Sequence, residues 1–545
     1  MQYWWQTTAI YQIYPRSFAD SNGDGIGDVL GIVSKLDEIK ELGFETIWVS
    51  PFYKSPGKDH GYDVSDYLEV DPLMGTLEDA KLLINEAHKR KMKILFDMVL
   101  NHTSDEHPWF QESRSSLDNP KRDWYLWSKE KNNWISMVGK PGWNFDPLTK
   151  EYYYTNFLSF QPDLNFNHPG VKKSMFDAMR FWFGLGVDGF RLDIFNSIFK
   201  DESKRDNPFV FRFFPTPDNN DEVFFQKKLY TLNHPKNFEL AKEVRKLAQE
   251  FGEDRCLVGE VSGNDSILKK FLGEPFKNST DGLNLVFQFE LIHYEWRASF
   301  FKNLLIKNES VYPNPYLPTY VFGNHDQPRS IERINGDLEK AKALALFQFT
   351  ARGIPIVYYG EEIGMRGGDF STEQATDPLA KDLKLVPKWL LKLLNVFVTR
   401  DDARTPMQWN SSLNAGFTSD QSKSWLPVTS EKEFRNVEFQ KKNPNSLWNT
   451  YKTLIALRKK EQALYDGDLK VFATETYGLL AYTRSYGDLQ ELGVFINFTD
   501  QDVSINQLTG KGELIFSTNK WNVNEKGNGL AVAGNSGIVW RYEKK

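Results

Sequence analysis

Three acidic residues of this chain each end a short apolar run. Asp193 closes Val-Asp-Gly-Phe-Arg-Leu-Asp (187–193), Glu260 closes Cys-Leu-Val-Gly-Glu (256–260), and Asp326 closes Val-Phe-Gly-Asn-His-Asp (321–326). Each run is too short for a helix and is followed by polar residues, so it reads as a buried parallel strand. A carboxylate at the C-terminal end of a barrel strand points into the mouth where active sites are built. Several carboxylates in one mouth suit cleavage of a glycosidic bond, which needs a proton donor and a nucleophile. Arg191 stands two residues before Asp193, so both side chains leave the strand on one face. Its fixed charge would hold Asp193 ionised and oriented as the nucleophile. Glu260 is the candidate general acid and then base, with a pKa raised by its acidic neighbours.

The elements that must position these groups alternate along the chain. Strand candidates fall at 9–15, 45–51, 93–100, 187–194, 256–261, 283–290, 318–323 and 354–359. Amphipathic helices lie between them: 32–42 with Ile32, Leu36, Ile39 and Leu42 on one face, then 76–88, 171–183 and 237–251. Gly43 suits the end of the first helix and Thr76 the start of the second. Eight strand–helix repeats predict parallel strands with right-handed crossovers, closed into an α/β (β/α)8 TIM barrel. Residues 103–168 break the pattern and read as a subdomain inserted after the third strand. Residues 200–235 and 365–446 read as long lids, since long loops in a compact domain are usually functional. From about 464 the pattern turns to short strands at Lys470–Thr474, Leu479–Arg484, Gly493–Phe498 and Gly537–Tyr542. The reading is thus a barrel over 1–102 and 169–463, an insert over 103–168, and an antiparallel β-sandwich over 464–545.

Composition narrows the class. The chain has 545 residues, 40% of them hydrophobic, and a net charge of −6, which argues against a nucleic-acid partner. No apolar run reaches the ~20 residues that cross a bilayer, and the first residues lack a signal-peptide pattern. The single cysteine, Cys256, excludes an intramolecular disulfide and reads as a buried apolar filler. Together these predict a cytoplasmic protein without a membrane partner. The basic residues of 269–277 and 381–392 read as solvated helix faces, and the sequons at Asn278 and Asn308 as irrelevant without secretion. Asp20-Ser-Asn22-Gly-Asp24-Gly-Ile26-Gly-Asp28 spaces four oxygen side chains among glycines, a Ca²⁺-type ligand set. It is not an EF-hand, because position twelve is Gly31.

Six motifs in order carry a resemblance. They are Asp97-Met-Val-Leu-Asn101-His102, Gln161-Pro-Asp-Leu-Asn165, Gly189-Phe-Arg191-Leu-Asp193, Gly259-Glu260-Val, Asn324-His325-Asp326 and Arg404-Thr-Pro-Met-Gln-Trp409. With them the whole chain resembles the α-amylase superfamily of glycoside hydrolases, and within it the α-glucosidase and oligo-1,6-glucosidase branch. The resemblance implies that Asp326 binds sugar hydroxyls and supports an oxocarbenium-like transition state. It implies that His102 and His325 donate to hydroxyls of the same glucose, with Asp97 as a support behind them. It implies that Asp59 and Tyr62, with Arg404, clamp the non-reducing end, and that Phe157 lines the pocket. It adds the carbonyl of Ile26 to a structural cation site at Asp20, Asn22, Asp24 and Asp28, and calls for no organic cofactor.

The activity implied is a retaining, exo-acting α-glucosidase on short oligosaccharides. Linkage stays open: Ile194 after the nucleophile matches the bulk that accompanies α-1,6 activity, whereas Arg205-Asp-Asn-Pro is similar to α-1,4-acting members. The alternatives are a glucosyl-transferring relative, of trehalose synthase or sucrose isomerase type, and a non-catalytic member of the family. His293-Tyr-Glu-Trp-Arg297 lacks the isomerase motif, and all three acids are retained.

Overall fold

The computed structural model describes residues 2–214, 221–368, 370, 374–383, 399–472, 476–505, 511–519 and 530–543. Eight short strands form one sheet: β1 (Ile10–Ile13), β2 (Thr46–Val49), β3 (Lys93–Met98), β4 (Gly189–Leu192), β5 (Cys256–Gly259), β6 (Leu285–Val286), β7 (Thr319–Val321) and β8 (Ile354–Tyr358). They run in the order β6-β5-β4-β3-β2-β1-β8-β7, and every recorded pairing is parallel. At the seam between β6 and β7 a side chain joins the strands. The Gln288 N–H donates to Thr319 Oγ1 at 3.0 Å, and that hydroxyl donates to the Val286 carbonyl at 2.9 Å.

The strands are apolar because both faces are covered. Ile10, Trp48, Leu95, Val258, Val321 and Ile356 fill the barrel interior. Cys256 belongs to this filling, as its apolar surroundings suggested, and burial pushes its thiol up. The other face packs on eight helices, one after each strand: α1 (Val29–Leu42), α2 (Leu77–Lys89), α3 (Pro169–Gly184), α4 (Pro235–Gln249), α5 (Asp265–Leu272), α6 (Ala298–Val311), α7 (Leu338–Thr350) and α8 (Leu447–Lys460). Gly43 and Thr76 cap helices as expected, and Asp28, read from sequence only as a metal ligand, caps the start of α1. Asp28 accepts from the Gly31 N–H at 2.6 Å to start α1, and Gly43, at φ 113°, ends it where a side chain would be strained. Thr76 and Asp79 form a capping box on α2.

Two further units stand on this frame. In the insert, Trp127–Ser128, Glu151–Tyr154 and Trp143–Asp146 make a small antiparallel sheet around Trp134, Trp143 and Tyr154. The C-terminal unit is a five-stranded antiparallel sheet, ordered Asp468–Val471, Leu479–Tyr486, Gln490–Asn497, Gly537–Tyr542, Gly512–Ser517. A two-stranded ribbon, Val503–Ile505 with Leu530–Val532, covers one face through Ala481, Phe495 and Ile538. Alternate residues Leu480, Tyr482, Val494 and Val539 join the barrel's helical layer on the other face. The sequence reading did not place Gly512–Ser517 or the ribbon strands. The anticipated strand end at 473–474, parts of the 365–446 and 200–235 lids and the basic side chains of 381–392 lie outside the described residues.

Just beyond β8, Glu361 and Glu362 are buried without a cationic partner within ion-pair reach among the described residues. Tyr11 donates to Glu362 at 2.8 Å, while Glu361 Oε1 and Glu362 Oε2 have no partner. Burial raises Glu361 to about 8 and Glu362 to about 7. Both are therefore protonated when folded and ionised when unfolded across the window between 4.5 and those values. Unfolding releases protons there, so stability falls as pH rises through it. Thermal melts from about pH 5 to about pH 9 will show a declining Tm. The Glu361→Gln, Glu362→Gln variant will flatten that slope; an unchanged slope would contradict the assignment.

Candidate active site

The ladder positions the acids. The Asp193 N–H continues the β3–β4 pairing by donating to the Met98 carbonyl at 3.1 Å, and the Glu260 N–H donates to the Leu192 carbonyl at 2.9 Å. Asp97 and Arg191 are register partners on β3 and β4, so their side chains stand side by side in the barrel. Arg191 then collects three carboxylates. Its Nη1 lies 2.8 and 2.9 Å from the two Asp97 oxygens and 2.9 Å from Asp193 Oδ1, while Nη2 donates to Glu260 Oε2. Trp48 supports the group from below: its ring lies 5.2 Å from the guanidinium carbon, and its N–H donates to Asp97 at 3.3 Å.

Asp193 and Glu260 thus sit on the two terminal nitrogens of one guanidinium. Burial pushes Asp193 well above the usual carboxylate range; Arg191 opposes this and Glu260 adds to it. Arg191 contacts Asp193 and favours its ionised form as expected, while burial and the neighbouring acids, which that expectation left out, oppose it. One cation thus faces three acids. Ile194 follows with φ 30° and ψ 46°, a left-handed conformation rare for a β-branched residue, and its N–H donates to Glu260 Oε2 at 3.3 Å.

The far wall is an ion-pair chain. Arg400 Nη2 lies 2.6 Å from Asp59 Oδ1 and 2.7 Å from Asp377 Oδ1, and Gln161 donates to the other Asp59 oxygen at 3.0 Å. Arg404 does not reach Asp59. It donates to Asp326 at 2.6 Å and to the His325 carbonyl at 2.8 Å. The clamp on the closed end is therefore Arg400, and Arg404 fixes Asp326 instead. Burial alone would raise Asp326, but His325, Arg404 and Arg400 together hold it well below the ordinary range. Asp377, likewise raised by burial, is brought down to about 2 by Arg400.

The two histidines also differ from expectation. His325 is fully buried, stacked between Tyr62 and Tyr14 at centroid distances of 5.3 and 5.7 Å. Its Nδ1 meets Gln12 at 2.8 Å, and its Nε2 faces the Tyr62 hydroxyl at 2.7 Å and Asp326 at 3.0 Å. It braces those two residues and does not line the cavity. His102 does line it, but its Nε2 is spent on the Tyr62 carbonyl at 3.1 Å and its Nδ1 on the Asn101 amide at 3.2 Å. Burial lowers it to about 4, so the ring is neutral near pH 7.

These groups enclose a cavity of about 320 Å³, at the small end of the ~300–1,000 Å³ usual for ligand sites. Asp59, Tyr62, His102, Phe157, Asp193, Glu260 and Asp326 line it, as do Asp377 and Arg400, which the sequence reading did not single out. Met137, Val138, Phe157, Ile194 and Leu379 supply an apolar part of the wall. The only signal for Arg400 was its place four residues before Arg404; nothing local marked Asp377.

The loop at 20–28 offers hard oxygen donors, which suit Ca²⁺. Here those oxygens accept from backbone N–H groups of the loop: Asp20 from Gly23 at 2.7 Å and Gly25 at 2.8 Å, Asp24 from Ile26 at 2.8 Å, and Asp28 from Ser21 at 2.8 Å. Among the described residues no three His, Cys, Asp or Glu side chains are gathered as a metal would hold them. The donor chemistry fits the ion; the carboxylates are not drawn together.

Acids at the strand ends of a (β/α)8 barrel, closed into one small cavity, define the class of glycoside hydrolases. The chain belongs to the alpha-amylase family: the profile for "Alpha amylase, catalytic domain" matches residues 12–467. It is 37% identical over 528 residues to an oligo-1,6-glucosidase of Parageobacillus thermoglucosidasius, covering 91% of each chain. It is 38% identical over 513 residues to a probable alpha-glucosidase of Rhizobium meliloti, covering 91% of this chain and 90% of that one. Among solved structures, an alpha-glucosyl transfer enzyme matches with a TM-score of 0.90 at 33% identity over all of both chains.

Removing Arg400 leaves Asp59 and Asp377 buried without their cation, which costs about 3–5 kcal/mol for a broken buried pair. Arg400→Ala will lower kcat/KM for maltose and isomaltose by at least about 100-fold, with KM rising. Circular dichroism will separate this from unfolding, and near-normal kinetics in a folded variant would contradict the clamp.

Proposed function

We propose that this chain is a retaining, exo-acting α-glucosidase that releases the terminal glucose of short α-glucosides. The observation that carries the reading is the placement of Asp193 and Glu260 on one Arg191 guanidinium at the wall of a small cavity. Retaining enzymes hold their two carboxyl groups only about 5–5.5 Å apart, and a shared guanidinium keeps Asp193 and Glu260 close to one another. Asp193 attacks C1 while Glu260 protonates the departing oxygen, giving a β-glucosyl ester on Asp193. Glu260, now ionised, takes a proton from water, which opens the ester and restores the α configuration. Asp326, kept anionic by its cations, stabilises positive charge developing on the sugar ring. The Asp59–Arg400–Asp377 chain blocks the far end, so a glucan cannot thread through.

Among linkages we favour α-1,6. Ile194, next to the nucleophile, lines the cavity, and relatives 36–37% identical are named oligo-1,6-glucosidases. A second reading, glucosyl transfer, is favoured by the structural neighbours, which include a trehalulose synthase mutant at TM-score 0.87 and 32% identity. We place the protein in the cytoplasm, where a lone buried cysteine is at ease. No helix among the described residues is long and apolar enough to cross a membrane. We also assign Asp20, Asn22, Asp24, Asp28 and the Ile26 carbonyl to a structural Ca²⁺ that would brace the first barrel loop, away from the chemistry.

Proton NMR of isomaltose and maltose digests will show α-glucose first, isomaltose will be the faster substrate, and starch will be nearly inert. Asp193→Asn will cost at least about 10³-fold in kcat. Accumulation of new disaccharide at low substrate would favour the transfer reading, and rapid starch liquefaction would contradict the closed cavity. Ca²⁺ will raise Tm by a few degrees over an EDTA-treated sample, through preferential binding to the folded state. No difference in Tm would remove the metal assignment.

A further inference from the structure

The lip of the cavity continues into an exposed aromatic surface. Met137 and Val138 belong to the cavity wall, and the next residue, Gly139, meets the ring of Phe224: a Cβ on that glycine would lie 3.0 Å from it. Phe224 sits on a hairpin, Glu222–Val223 paired with Gln226–Lys227, that is strapped to the same stretch of the insert. Gln226 donates to the Asn133 carbonyl and Lys228 to the Ile135 carbonyl, and the Ile135 N–H donates to Gln226 at 3.3 Å. The hairpin is therefore fixed to the lip.

Residues 209–214, bridged to the hairpin at Phe209 and Gln226, make with it a surface of phenylalanine. Phe211 is 94% exposed, Phe209 72%, Phe214 57%, Phe213 44% and Phe225 43%. The rings form one cluster: Phe209, Phe211 and Phe213 lie 6.2, 6.3 and 5.4 Å from Phe225, and Phe213 lies 4.9 Å from Phe214. Apolar patches of this kind on a protein surface mark places where something binds. The turn sharpens the point. Phe224 and Phe225 are the two central residues of a two-residue hairpin, with φ 53° and 60°. Asn-Gly fills such a turn without strain, whereas a bulky residue with positive φ is an outlier.

We propose that this patch, with Met137, Val138 and Leu379, forms a leaving-group site for apolar aglycones, so that the preferred substrates include α-glucosides of long-chain or aromatic alcohols. The inference rests on the α-glucosidase reading and adds the chemistry of the other half of the substrate. The glucose half meets acids, amides and arginine deep in the cavity. The other half leaves past Met137 and Val138 and reaches the rings through Gly139 and Phe224. The continuity with the cavity favours this occupant over a second copy of the chain or a membrane.

Methyl and octyl α-glucosides test it, because their alcohols have similar acidity and differ in apolar surface. In the full-length protein, with octyl glucoside kept below micelle formation, kcat/KM for the octyl compound will exceed that for the methyl compound by about tenfold or more. F211S, and separately the F224N/F225G pair, will bring the ratio toward one; the pair also relieves the turn, so its Tm will not fall sharply. A ratio near one in the native chain, or a ratio untouched by both variants, would overturn the proposal. So would a loss of dimer mass in F211S with the ratio intact, or a loss of vesicle binding with the ratio intact, since the patch would then serve self-association or a lipid surface. If neither glucoside releases glucose, it is the α-glucosidase reading that fails.

Discussion

The site depends on one buried cation. Arg191 stands on β4 with Asp97 beside it on β3, Asp193 two residues ahead, and Glu260 across on β5. Burying a charge costs several kcal/mol, and three carboxylates sharing one guanidinium do not cancel it by count. A substrate with developing positive charge relieves that excess of negative charge. The same crowding that makes the empty site unfavourable makes it complementary to an oxocarbenium-like transition state.

The fold supplies this arrangement through register. Parallel pairing sets Asp97 against Arg191 and Val258 against Arg191, so the residues that follow, Asp193 and Glu260, leave neighbouring strands at nearly the same height. A one-residue slip would turn each side chain to the helical layer. The layers on both sides resist such a slip, with Trp48, Leu95 and Val258 inside and Ile47, Phe96 and Leu257 outside. The second cationic group, Arg400 with Arg404, comes from a loop far along the chain, and Arg400 lines the cavity with Asp193. Its two arginines divide the work: one ties Asp59 to Asp377, the other fixes Asp326.

The barrel was legible because its signals are local. Short apolar runs, a glycine at 43 and the Thr76 cap each fix an element without help from distant chain. The carboxylates were legible because each ends such a run. What sequence did not show depends on contacts over long separation. Whether Asp59 pairs with position 400 or 404 is decided 341 residues away by the fold of a loop. His325 donates nothing to the cavity because Tyr14 and Tyr62 close over its faces, which no neighbouring residue announces. The ribbon strands Val503–Ile505 and Leu530–Val532 are three residues each, too short for alternation to register.

The central claim is that Asp193 is the atom-bonding partner of the sugar and Glu260 is not. A 5-fluoro-α-glucosyl fluoride slows the second step more than the first and lets the covalent intermediate accumulate. Peptide mass spectrometry of the trapped protein will place one fluoroglucosyl group on the peptide containing Asp193, in step with loss of activity. A label on Glu260, or complete turnover through a species that never becomes covalent, would contradict the account.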